Sequence, residues 1–106
     1  MTPEQKSQIE NNVITVLRTI FDPEIPVNIY ELGLIYEIAI SDDADVKIVM
    51  TLTSPNCPVA ESMPNEVKEK VALVKNTRSS EVELTFEPPW DQSMLTDEAK
   101  LELGFL

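Results

Sequence analysis

Apolar residues at Ile9, Val13, Val16, Leu17 and Ile20 keep a three- and four-residue spacing, which lays a single apolar stripe along a helix. Thr2-Pro3-Glu4-Gln5 ahead of it has the form of a capping box, with Thr2 as cap and Gln5 reaching back. Pro23 disfavours helical geometry at Asp22, so the helix is expected to stop near Phe21. Asp22-Pro23-Glu24-Ile25-Pro26 then reads as a stiffened loop that holds two carboxylates close together. A short helical turn is expected around Asn28 to Leu32, ended by Gly33.

From Leu34 the period falls to two. Leu34, Tyr36, Ile38 and Ile40 share one face, and Ser41-Asp42-Asp43-Ala44-Asp45 supplies a polar turn. Val46, Ile48, Met50 and Leu52 then alternate with Lys47, Val49, Thr51 and Thr53. So short a link predicts an antiparallel hairpin from about Leu34 to Thr53. The alternation sends Thr51 and Thr53 to the face away from the apolar set, where β-branched strand formers ordinarily meet water.

A second helix is expected from about Pro58, with Val59, Met63, Val67, Val71 and Val74 on its buried stripe and Pro64 loosening its first two turns. Alternation returns from Glu81 to Glu87, with Val82, Leu84 and Phe86 inward. A helix between the second and third strands makes them parallel. Pro88-Pro89 ends the third strand, and Trp90 reads as a pin for the C-terminal segment in preference to a ligand contact. Thr96 caps a last helix, which Gly104 closes. The order α-β-β-α-β-α predicts an α+β fold, a two-layer α/β domain whose three-stranded mixed sheet carries helices on one face. Residues 1–106 are expected to form one such domain.

Charge and composition remove whole classes of function. Nineteen acidic against eight basic residues leave a net charge of −11, which repels nucleic acid phosphates and anionic lipid. Neither nucleic acid nor membrane is therefore an expected partner. No apolar run approaches bilayer length, and the N-terminus lacks the basic region and apolar core of a secretory signal. Histidine is absent, which rules out a Cys–His dyad, a Ser–His–Asp triad and a zinc finger within the chain. The lone cysteine excludes an internal disulfide and points to a reducing compartment, the cytoplasm.

That cysteine, Cys57, lies where the second strand gives way to the second helix. Pro58 suits the first helical position, which makes Cys57 the cap. The amides of a first turn stabilise a thiolate over a thiol. The plainer alternative is a small buried hydrophobe, and position alone leaves both open.

Four segments in sequence carry a resemblance: Asp22-Pro23-Glu24-Ile25-Pro26-Val27, Glu31-Leu32-Gly33-Leu34-Ile35, Thr51-Leu52-Thr53 with Cys57-Pro58, and Pro88-Pro89-Trp90. Together they span nearly the whole chain and resemble the DUF59, or MIP18-like, domain, above all its stand-alone bacterial members associated with the SUF system. The resemblance implies an accessory factor in iron–sulfur cluster assembly or transfer, and not a dedicated catalyst. It puts the family's reactive cysteine at Cys57, with a transient iron or cluster contact there. The acidic loop falls on Asp22 and Glu24, and the threonine pair on Thr51 and Thr53. For Asp22 and Glu24, helix stopping and loop capping stand beside direct chemistry. The implied partners are the SUF machinery and client iron–sulfur apoproteins, and a homodimer stays open.

A cluster normally takes four thiolates and this chain has one, so any iron–sulfur cluster or iron it holds must be labile, with none tightly bound. Three alternatives stand beside this reading. One is a maturation or coupling component of a multicomponent oxygenase, although such relatives look to carry a cysteine-rich C-terminal part and this chain ends at Leu106. Another is a protein-interaction module with an inert Cys57. The last is a thiol enzyme, for which no histidine is present to activate the nucleophile.

Overall fold

The structure is a computed structural model describing residues 2–22, 25–53 and 62–104. Among these residues, helix α1 spans Pro3–Leu17, strands β1 and β2 span Ile35–Ile40 and Asp45–Met50, and helix α2 spans Ser62–Ala72. Strand β3 covers Ser79–Leu84, a 3-10 turn covers Gln92–Met94, and helix α3 covers Asp97–Glu102. The expected start of the second helix, with Pro58 and Val59, lies outside the described residues.

The capping box closes as the sequence predicts: the Gln5 N–H donates to Thr2 Oγ1 at 3.2 Å and the Thr2 N–H donates to Gln5 Oε1 at 2.9 Å. α1 ends at Leu17, a turn short of the expected Phe21. The Thr19 hydroxyl and N–H both close on the Val16 carbonyl, at 2.6 and 2.9 Å, and tighten the last turn. Ile20 stays buried but leaves the helix, because its carbonyl accepts the Ile29 N–H at 2.8 Å. Phe21 then bridges Asn28.

The expected helical turn is a single one. Asn28 Oδ1 accepts the Glu31 N–H at 2.9 Å, and the turn closes with Gly33 N–H to Tyr30 O and Leu34 N–H to Ile29 O, at 3.1 and 3.2 Å. This pair of bonds is a Schellman motif, and Gly33 takes the left-handed φ of +81° it demands.

The sheet has order β1-β2-β3, with β1 antiparallel and β3 parallel to β2. Ile38 pairs with Ile48 and Ile40 with Val46, so these residues share the apolar face. A bulge interrupts β1 between Ile35 and Glu37, placing Ile35 opposite Met50. Tyr36 therefore does not share the register expected of it. The helix layer of α1 and α2 buries Val46, Ile48 and Met50 against Val13, Leu17, Val67 and Val71. Full burial of a side chain of this size is worth about 1.5–3 kcal/mol, so this block carries the fold.

Both β2 and β3 stop earlier than the alternation suggests, at Met50 and Leu84. Past Leu84, Thr85 Oγ1 accepts the Glu87 N–H at 3.2 Å and turns the chain. Phe86, expected inward, is consequently exposed. The C-terminal segment returns to the Schellman turn. Trp90 Nε1 donates to the Leu32 carbonyl at 2.7 Å, and the Thr96 N–H donates to Glu31 O at 3.0 Å. The Thr96 hydroxyl, besides capping α3, donates to the Glu31 carboxylate, which also pairs with Arg18 at 3.3 Å. Among the described residues, no helix is long and apolar enough to cross a membrane.

Candidate functional site

Ile20, two residues before Asp22, is joined to Thr51 by one continuous run of backbone hydrogen bonds. Ile29 N–H reaches Ile20 O at 2.8 Å, Leu34 N–H reaches Ile29 O at 3.2 Å, and Thr51 N–H reaches Leu34 O at 2.9 Å. The loop after α1 and the residues after β2 therefore lie at the same end of the sheet. The Asp22 loop is built locally: Oδ1 accepts the Ile25 N–H at 3.1 Å, the Asp22 N–H donates to Val27 O at 3.4 Å, and Val27 N–H donates to Ile25 O at 2.7 Å. Asp22 is only 4% exposed, unusual for a carboxylate. Loop capping, part of one of its two expected roles, is visible in these bonds, whereas the helix has already stopped at Leu17.

Thr51 departs from expectation more sharply. The alternation sends it toward water, yet it is 0% exposed, and its hydroxyl has no hydrogen-bond partner among the described residues. Strand geometry ends at Met50, and the Tyr36 phenol faces the Thr51 hydroxyl. The Tyr36 hydroxyl donates to the Pro88 carbonyl at 2.7 Å, with Met94 Sδ at 3.6 Å. Burial raises the Tyr36 phenol above its ordinary value, and the facing Thr51 hydroxyl offsets part of that rise. Thr51 Oγ1 thus sits close enough to favour the phenolate while falling outside normal hydrogen-bond geometry. Thr53 is half-buried and its hydroxyl is likewise buried without a partner among the described residues.

A buried hydroxyl without a partner costs about 1–3 kcal/mol, and among the described residues Thr51 and Thr53 each carry one. Cys57 follows Thr53 by four positions, and both Cys57 and Glu24 lie outside the described residues. Among the described residues, no three His, Cys, Asp or Glu side chains group closely enough to hold a metal ion. Glu31, the other buried carboxylate at this end, is taken up by Arg18 and Thr96.

Sequence reasoning did not single out Tyr36 or Glu31 as neighbours of the site. A bulge leaves no mark in an apolar alternation, and the contacts of Tyr36 with Pro88 and Met94 span more than fifty positions. Glu31 stands in a quoted motif, but nothing local tells that Thr96 will find it.

Residues 10–84 match the profile of a family described as iron-sulfur cluster assembly protein. A Porphyromonas gingivalis protein named Fe-S protein maturation auxiliary factor is 50% identical over 93% of this chain and 94% of its own length. The Fe-S protein maturation auxiliary factor SufT of Staphylococcus aureus is 34% identical over 80% of this chain and 97% of its own. The crystal structure of a domain of unknown function, DUF59, from Bacillus anthracis superposes with a TM-score of 0.85 at 32% identity, covering 94% of this chain and 95% of that one.

Proposed function

This chain belongs to the iron–sulfur cluster assembly protein family, and from that premise we propose that it is an auxiliary factor in iron–sulfur protein maturation acting through Cys57. The observation that carries the reading is Thr51, a fully buried residue whose hydroxyl has no partner among the described residues, at the end of the strand that leads in sequence to the only thiol. Buried polar groups without partners are rare in stable domains, and they gather where something other than stability is served.

In this reading Cys57 supplies one thiolate to iron or to a cluster, which is cargo and not a resident group. The remaining ligands come from outside the chain, because a cluster normally takes four thiolates. Transfer is ligand exchange without redox change: a client thiolate forms a bond to iron as the Cys57–iron bond breaks, and the proton released by the client thiol goes to Cys57 or solvent. Asp22, Thr51 and Thr53 line the site, with Glu24 as a further carboxylate of the same loop. The protein is then an escort and not a catalyst, working in the cytoplasm with the SUF machinery and its apoprotein clients.

Anaerobic reconstitution with iron and sulfide, followed by absorption spectroscopy, tests the thiol. Wild type should gain a substoichiometric, oxygen-labile chromophore, and Cys57→Ala should gain none. In cells lacking the native protein, Cys57→Ser should accumulate normally and fail to restore client enzyme activity. Full restoration would leave a protein-interaction module with an inert Cys57 as the better account.

A further inference from the structure

The two layers do not cover each other completely. The core-side residues of β2, at Val46, Ile48 and Met50, are fully buried, whereas their β1 neighbours Ile40, Ile38 and Ile35 are only half-buried. α2 lies against β3, and among the described helices the main packing on β1 comes from α1. The uncovered strip forms a cleft of about 180 Å³, with Ile14 of α1, Tyr30, Ile35 and Ile38 as its apolar lining. β1 is the terminal strand of the sheet, so among the described residues its outer edge has no strand beside it.

Protected edges usually carry proline or an inward charge. β1 has no proline, and its one charged residue, Glu37, falls opposite Val49 on the face away from the core. The bulge at Ile35/Glu37 leaves the run from Glu37 to Ile40 regularly paired with β2.

Charge decides what fits. Glu10 lines the cleft and Glu37 borders it from the other face of β1, and neither forms an ion pair among the described residues. Arg18 stacks over Tyr30 at 5.2 Å and is engaged by Glu31, and Lys6, one helical turn before Glu10, is engaged by Asp42. A second copy docking edge to edge would bring these acids against their own kind, on two chains each of net charge −11. We infer that the β1 edge and its cleft bind an extended, cationic segment of the client apoprotein, which adds as a strand and places alternate apolar side chains between Ile14, Tyr30 and Ile38. Main-chain pairing supplies affinity in such a mode and the pocket supplies selectivity. This partner assignment rests on the maturation reading above, but the cleft takes no part in the thiol chemistry.

The test uses the full chain, isotope-labelled, and two synthetic nonapeptides of alternating valine with either lysine or glutamate. The lysine peptide should shift NMR resonances of residues 10–14 and 35–40 and slow hydrogen exchange in β1, and the glutamate peptide should do neither. Glu10→Lys/Glu37→Lys should weaken lysine-peptide binding at least tenfold. Glu81→Lys/Glu83→Lys, the same charge change on exposed β3 positions, should weaken it less than threefold. Shifts spread over the whole acidic surface, equal weakening by both double variants, or β1 protection that rises with protein concentration in the absence of peptide would overturn the proposal. Cys57→Ser should bind the lysine peptide as wild type does. A failed cleft therefore leaves the thiol reading standing, and a failed thiol leaves the cleft.

Discussion

In the proposed reading, Thr51 sets stability and function against each other within a single side chain. Its hydroxyl is buried with no partner among the described residues, so the folded state bears a desolvation cost that an isosteric methyl would not. Thr51→Val is expected to raise unfolding free energy by about 1 kcal/mol in chemical denaturation. If the proposed reading holds, the same change should impair client maturation, because it removes a hydroxyl that reading assigns to the site. It should also move the Tyr36 phenol further up, since the Thr51 hydroxyl lowers that group, and an absorbance titration of tyrosinate reads this directly. A loss of stability would instead mean that the hydroxyl is a structural anchor. Cys57 and Asp22 could be picked out from local sequence as a lone thiol and a pre-proline acid. Thr51 draws notice only by its nearness to Cys57 and through family resemblance, and its burial is not legible because apolar alternation sends it toward water.

Between elements, the contact between Gly33 and Met94 joins the Schellman turn to the C-terminal segment. Gly33 has φ +81°, and a Cβ built on it would lie 2.3 Å from the Met94 backbone oxygen. Gly104 has nearly the same conformation, φ +83°, and open space around it. The pair separates backbone strain from packing. Gly104→Ala should cost about 1–2 kcal/mol, the penalty of a left-handed L-residue. Gly33→Ala bears that penalty and must also push back the backbone that holds Trp90 and Thr96, so it should cost at least ~3 kcal/mol, with matched denaturation curves as the measure. The sequence announced Gly33 as a turn-closing glycine, and the element order and mixed sheet were equally readable from two switches of apolar period. What escaped it has two causes. The early end of α1 and the β1 bulge are set by pairing with residues outside the local window, Ile29 and Met50, whereas Phe86 turns outward because the Thr85 side chain closes a local turn that apolar alternation does not register. Periodicity records which face a residue prefers, and it is silent about where pairing stops.

At the scale of the whole molecule, charge bounds the pH range over which this arrangement holds. Surplus negative charge repels itself at neutral pH, so added salt should raise the melting temperature, since the exposed pairs it also screens are individually weak. Toward acid, two carboxylates act in the same direction. Asp45 is held below its ordinary value by hydrogen bonds from Arg78, at 2.9 and 2.5 Å, and from Ser79, and Asp42 is held below it by Lys6. A depressed folded value means that the stabilisation is complete above the unfolded carboxylate value, about 3.9, and is lost as pH falls through the lower folded one. Toward alkali the sign reverses at Tyr36, whose phenol is raised by burial. There the unfolded chain ionises first, so stability is fully present below about pH 10 and falls as pH rises toward the folded value. Denaturation measured across pH should therefore show a plateau with both limbs descending. Asp45→Asn should lower the plateau and flatten the acid limb. Tyr36→Phe should lose the bond to Pro88, about 1 kcal/mol, and flatten the alkaline limb. An alkaline limb unchanged in Tyr36→Phe would show that the phenol over Thr51 ionises as freely as in the unfolded chain, and that this end of the sheet is open to water.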